Sequence, residues 1–130
     1  MTDIVRPGQS AETLNEDAMP ANIDLAIYRG DFVEVEVELV DDSEVALDLT
    51  GLSAQAQLRV DYDAVTGVDF ECEVLSPATS GKVRIYMSSA TTTALTEDSY
   101  IWDFQLTNID NDSRTYFTGD VTVSPEVTKP

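Results

Sequence analysis

Along most of the chain, apolar and polar residues alternate one by one. Ile23, Leu25 and Ile27 alternate with Asp24, Ala26 and Tyr28, and Val33, Val35, Val37 and Leu39 alternate with Glu34, Glu36 and Glu38. Such alternation marks a strand with one face buried and the other in water. The same pattern predicts strands carrying Ala54, Ala56, Leu58 and Val60, then Val68, Phe70, Cys72 and Val74, then Val83, Ile85 and Met87. Two more follow, with Tyr100, Trp102, Phe104 and Leu106 on one and Phe117, Gly119, Val121 and Val123 on the other. Turn-forming stretches separate them: Arg29-Gly30-Asp31, Asp41-Asp42-Ser43, Thr50-Gly51, Pro77 to Gly81, and Asn108 to Ser113. Ser88 to Leu95 is the one helix candidate in the body; short and rich in threonine, it predicts a single turn bridging two strands.

About seven main strands at short spacing predict an all-β fold, an immunoglobulin-like β-sandwich. Residues 22–130 would form the sandwich. Residues 1–21 are polar, contain Pro7 and Pro20 and show no sustained period, so they predict an extended N-terminal arm. A segment with so little to bury is ordered most readily against another chain, which points to an assembly.

In the expected topology the first, second, fifth and fourth strands share a sheet, with the second beside the fifth. Lys82 and Arg84 point outward from the fifth strand, so Glu34 or Glu36 is expected to face Lys82 or Arg84 across the ladder. Tyr100 opens the sixth strand after the crossover Leu95 to Ser99. This is the place of a tyrosine corner, with the ring in the core and the hydroxyl tied to the crossover backbone. Trp102 shares its phase.

Composition narrows the chemistry. The chain has 130 residues, 7 basic and 25 acidic side chains, a net charge of -18 and no histidine. That charge repels phosphate backbones and argues against nucleic-acid binding. No apolar run reaches the length of a membrane helix, and no basic-then-apolar leader follows Met1. Cys72 is the only cysteine, so no internal disulfide or cysteine-based zinc cage is possible. Without histidine, common nucleophile–base pairs are missing, and no enzyme is expected.

Several short stretches carry candidate chemistry beside a plainer structural reading. Arg29-Gly30-Asp31 spells a cell-adhesion tripeptide, but it joins two strands with Gly30 free to take a positive φ, so a turn is expected. Asn108, Asp110 and Asp112 offer oxygen ligands of the kind Ca²⁺ favours. They lack the glycine and distal glutamate of a calcium loop, and Asn and Asp are ordinary hairpin residues. Asp41, Asp42 and Glu44, and Asp61, Asp63 and Asp69, are acidic clusters in predicted turns, where solvated loops are expected rather than the paired carboxylates of a glycosidase. Cys72 is in phase with Phe70 and Val74, as a small core residue would be. No catalytic, cofactor or resident metal site is expected.

The order of these pieces resembles a known family. Ile23-Asp24-Leu25 leads to Arg29-Gly30-Asp31-Phe32, then Leu47-Asp48-Leu49-Thr50-Gly51 and Ala54 to Arg59. Gly81 to Ile85, Thr91 to Leu95, Tyr100 to Leu106, Gly119 to Val123 and Val127-Thr128 follow. This resembles the immunoglobulin-like N-terminal domain of tailed-phage baseplate upper proteins and tail-fibre adaptors, over residues 23 to 128. The resemblance implies a structural virion protein that docks one part of the tail, baseplate or fibre attachment to another. Its partners would be other virion proteins, in a homo-oligomer or symmetric assembly, with no nucleic acid and no membrane. Family members often continue into a trimeric receptor-binding region, whereas this chain stops at Pro130, so adaptor duty is expected over direct receptor recognition. A capsid decoration protein and a carbohydrate-binding module are the alternative readings.

Overall fold

The computed structural model describes residues 2–5, 12–15, 21–41 and 43–126. The strands are β1 (Thr2–Val5), β2 (Glu12–Asn15), β3 (Ala21–Tyr28), β4 (Val33–Val40), β5 (Ser53–Arg59), β6 (Val68–Asp69), β7 (Glu71–Val74), β8 (Lys82–Met87), β9 (Ser99–Thr107) and β10 (Ser113–Ser124). One short helix, α1 (Ser89–Thr93), lies between β8 and β9. Ser88 caps it by accepting a hydrogen bond from the Thr91 amide, so the expected single turn is present. Asp42 and Val127-Thr128, placed by the pattern in a turn and at the end of the sandwich, lie outside the described residues.

The strands form two sheets, β1-β3-β10-β9-β5-β6 and β2-β4-β8-β7. The alternating apolar residues face inward between them as expected. Ile23, Leu25, Ile27, Val33, Val35, Val37, Leu39, Val83, Ile85 and Met87 are all buried. The centre is aromatic: Phe104 and Phe117 stack with ring centroids 4.8 Å apart. Trp102 meets Phe117 edge-on at 5.0 Å and Phe70 at 5.3 Å. A register shift in β10 between Thr115 and Phe117 lets the consecutive Tyr116 and Phe117 both be buried.

The glutamate stripe finds the expected neighbours. β4 pairs antiparallel with β8, with Glu36 opposite Arg84 and Glu38 opposite Lys82. The Arg84 guanidinium bonds the Glu34 carboxylate diagonally, lies 3.8 Å from Glu73 and rests 4.0 Å from the centre of the Tyr86 ring. The tyrosine corner is also present: the buried Tyr100 hydroxyl accepts from the amides of Thr96 at 3.1 Å and Glu97 at 3.2 Å.

Three expectations need correction. The first strand of the body, β3, does not share a sheet with β4 and β8; it pairs parallel with β10 in the other layer. The tight turn at Arg29–Phe32 carries the chain from one sheet to the other, so β3 and β4 are neighbours in sequence and not in a ladder. Second, the run Val68 to Val74 is not one strand. Asp69 pairs with Gln57 of β5, whereas Cys72 pairs with Ile85 of β8, so the chain changes sheets at the buried Phe70. Third, Val60 does not continue the inner face of β5, which ends at Arg59, and its side chain is exposed.

The N-terminal segment contributes strands that its polar pattern did not announce. β1 pairs parallel with β3 and β2 pairs parallel with β4, extending both sheets.

Candidate functional site

The tripeptide Arg29-Gly30-Asp31 is built into the sandwich. The Gly30 amide donates to the hydroxyl of the fully buried Thr92, and that hydroxyl donates to the Asp31 carbonyl at 2.7 Å. Arg29 Nε donates to the Leu95 carbonyl at 2.6 Å, and the guanidinium also reaches the Glu97 carbonyl and Asp98. Gly30 has φ +98°, and a Cβ there would strike the Glu126 side chain. The stretch is the turn between β3 and β4, as the turn reading expected, and Thr92 of α1 fastens it.

The acidic candidates are dispersed over separate turns. Asn108, Asp110 and Asp112 lie in the β9–β10 hairpin. Asn108 Oδ1 accepts from the amides of Asp110 at 3.0 Å and Asp112 at 2.9 Å, which commits it to closing the turn. Asp41 does the same for Ser43 and Val45, and Asp61 for Asp63. Asp69 accepts from Gln57 Nε2 instead. Among the described residues, no three His, Cys, Asp or Glu side chains gather into a group that could hold a metal ion. Cys72 is half-buried against the core, and burial pushes its thiol up to about 11.

A different set of side chains does converge. The outer face of the larger sheet carries a concavity of about 300 Å³ over β5, β9 and β10. Its walls are the outward residues of these strands, mainly Gln55, Gln57, Arg59, Asp103 and Gln105, with Tyr62 at the rim. Cross-strand pairing fixes the spacing: Gln55 sits opposite Gln105, and Gln57 opposite Asp103. Arg59 shapes the rim. It donates to the Ala64 carbonyl at 2.7 Å and to Gln57 Oε1 at 3.0 Å, holding the loop 60–67 beside the groove. Burial raises the Asp103 carboxyl above its ordinary value, and the Arg59 charge opposes that rise.

This face differs in chemistry from the other sheet. β4 and β7 turn Glu34, Glu36, Glu38, Glu71 and Glu73 outward, whereas β5 and β9 turn out three amides, Ile101, hydroxyls, one guanidinium and one carboxylate. The sequence pattern drew attention to the core-facing Tyr100, Trp102 and Phe104 and passed over the residues between them. The visible signal was Gln55-x-Gln57-x-Arg59 and Asp103-x-Gln105, polar positions without the acidic bias of the rest of the chain.

No helix among the described residues is long and apolar enough to cross a membrane. Neither a protein-family profile nor a curated protein matches the chain. Among solved structures it is similar to a cysteine protease inhibitor from Entamoeba histolytica, at 12% identity over 90% of this chain and 98% of that one, with a TM-score of 0.44. It is similar to CopC from Methylosinus trichosporium OB3b at 10% identity over 81% and 87%, with a TM-score of 0.38. It is also similar to the sialic acid binding region of a Streptococcus sanguinis SK1 adhesin, at 16% identity over 82% of this chain and 30% of that one, with a TM-score of 0.43. Likeness at this level carries nothing about function, and the chain's class, an all-β immunoglobulin-like sandwich, is read from its own two sheets.

Proposed function

We propose that this chain is a structural virion protein of a tailed bacteriophage, an adaptor at the tail, baseplate or fibre attachment that acts by protein–protein contacts and not by turnover. The observation that carries the reading is the strand addition by β1 and β2 at one edge of each sheet. An open strand edge is a template for pairing with another chain. A segment that lays short strands parallel to β3 and β4 can do so on the same edges of a neighbouring subunit, in exchange for that subunit's own β1 and β2. The resemblance of residues 23 to 128 to baseplate and fibre adaptor domains supplies the setting, and the net charge of -18 favours neighbours with basic faces.

The test uses particles of the phage that encodes the chain. The full chain is expected in purified particles at the tail, and a variant lacking residues 1–20 is expected to keep its strand signature by circular dichroism but to be lost from them. Normal incorporation of that variant would refute the role of the segment. Absence of the full chain from particles would refute the virion reading, and label on the head in place of the tail would assign it to capsid decoration.

A further inference from the structure

We propose that the groove over β5, β9 and β10 binds an uncharged saccharide, with the Tyr62 ring stacking on a sugar face and Gln55, Gln105 and Asp103 bonding its hydroxyls. The site lies on the face of the larger sheet, away from the edges to which β1 and β2 add, so it stands independently of the docking role.

The side-chain chemistry points to this ligand class. A saccharide presents hydroxyls that both donate and accept, alternating with apolar C–H faces. A primary amide offers a donor and an acceptor side by side, which suits adjacent hydroxyls. Cross-strand neighbours on one face of a sheet stand about 4.5 to 5.5 Å apart, so Gln55, Gln105, Gln57 and Asp103 present their polar ends as a regular grid. Part of the lining is unspent: Gln55 and Asp103 of that grid and Tyr62 at the rim make no side-chain hydrogen bond to any described residue. The Arg59 bonds to Ala64 and Gln57 hold the rim in place before any ligand arrives. Tyr62 is 83% exposed, and its ring is the one aromatic surface in the lining open to a ligand. The volume of about 300 Å³ is at the small end of ligand sites, which suits one or two sugar rings.

Charge and apolarity exclude the competing classes. One guanidinium and one carboxylate leave the groove close to neutral, within a chain of net charge -18 that repels anionic glycans. A protein hot spot needs a central apolar or aromatic anchor pocket. Among the described residues Ile101 is the only large aliphatic side chain in the lining, and polar side chains surround it.

The test is an NMR titration of the ¹⁵N-labelled full chain with lactose, maltose and chitobiose, with a sulfated disaccharide and a basic peptide as comparators. At least one neutral disaccharide is expected to shift the side-chain amide signals of Gln55, Gln57 and Gln105 saturably at millimolar concentration. Tyr62→Ala and Gln55→Ala should each weaken that binding about tenfold, and because both residues are exposed the melting temperature should not change. No saturable shift with any neutral sugar overturns the assignment, as does undiminished binding by both variants. Saturable shifts with the sulfated sugar or the peptide alone also overturn it. The docking role survives each of these outcomes, since it is read from particle incorporation.

Discussion

The indole nitrogen of Trp102 donates to the carbonyl of Ile23 at 2.8 Å, across the strand that lies between them. The β3–β10 ladder pairs Thr118 with Asn22 and Val121 with Leu25, and skips Gly119 and Asp120. The Asp120 amide donates to Asp24 Oδ1 in place of a ladder bond. Gly119, opposite Trp102 on β10, makes the interruption possible, because a Cβ there would stand 1.8 Å from the Ile23 oxygen. Gly119→Ala is therefore expected to destabilise the domain by about 3 kcal/mol or more, measured by urea unfolding. A loss below about 1 kcal/mol would show that the contact relaxes freely.

The tyrosine corner gives a narrower test. Tyr100→Phe keeps the ring and removes only the acceptor for the Thr96 and Glu97 amides. The expected loss is about 1 to 2 kcal/mol, with core packing kept. Trp102→Ala, which empties the aromatic centre, should cost roughly 3 to 5 kcal/mol, a large share of a typical domain's stability.

Asp103 makes stability depend on pH. Its folded carboxyl titrates above its unfolded value, chiefly through burial, with Arg59 opposing. The contribution of this group is complete below the unfolded value of about 3.9 and is lost as pH rises through the folded one. Asp103→Asn should therefore be more stable than the parent chain at pH 7, with the gap closing toward pH 3. Thermal melts across that range read the difference. A gap that is constant with pH would assign it to packing and not to ionisation.

Cys72 is expected to be a slow nucleophile. Burial is the main cause of the rise of its thiol from 9.0 to about 11, and Glu71 and Asp69 add to it. At pH 8 the folded chain then holds about a hundredth of the thiolate of an unshifted cysteine, and alkylation by iodoacetamide should be slower by about that factor. Alkylation at the rate seen in the urea-unfolded chain would contradict the burial.

What the sequence made legible follows from what strand periodicity encodes. A period of two states which way each side chain points, so the core residues of β3, β4, β8, β9 and β10 could be named in advance. The pairing of Glu36 with Arg84 was legible as well, because charges on one strand call for opposite charges on its neighbour. The same period says nothing about which strand lies alongside, so the parallel pairing of β3 with β10 was hidden. The change of sheet at Phe70 was hidden for a related reason: Phe70 points into the core from either layer, and the alternation runs through it unbroken. β1 and β2 are four residues each and owe their pairing to the edges that β3 and β4 present, which their own pattern does not encode. The groove was overlooked because Gln55, Gln57 and Gln105 resemble any solvated positions until the sheet brings them side by side.

The parallel run of β3 and β10 has a mechanical meaning. Tension applied to the chain before Ala21 and beyond Ser124 draws these two strands past one another along their length. Their shared bonds then bear the load together instead of peeling off singly, as they would if the strands ran in opposite directions. A sandwich of this connectivity is expected to yield late when pulled between those two ends.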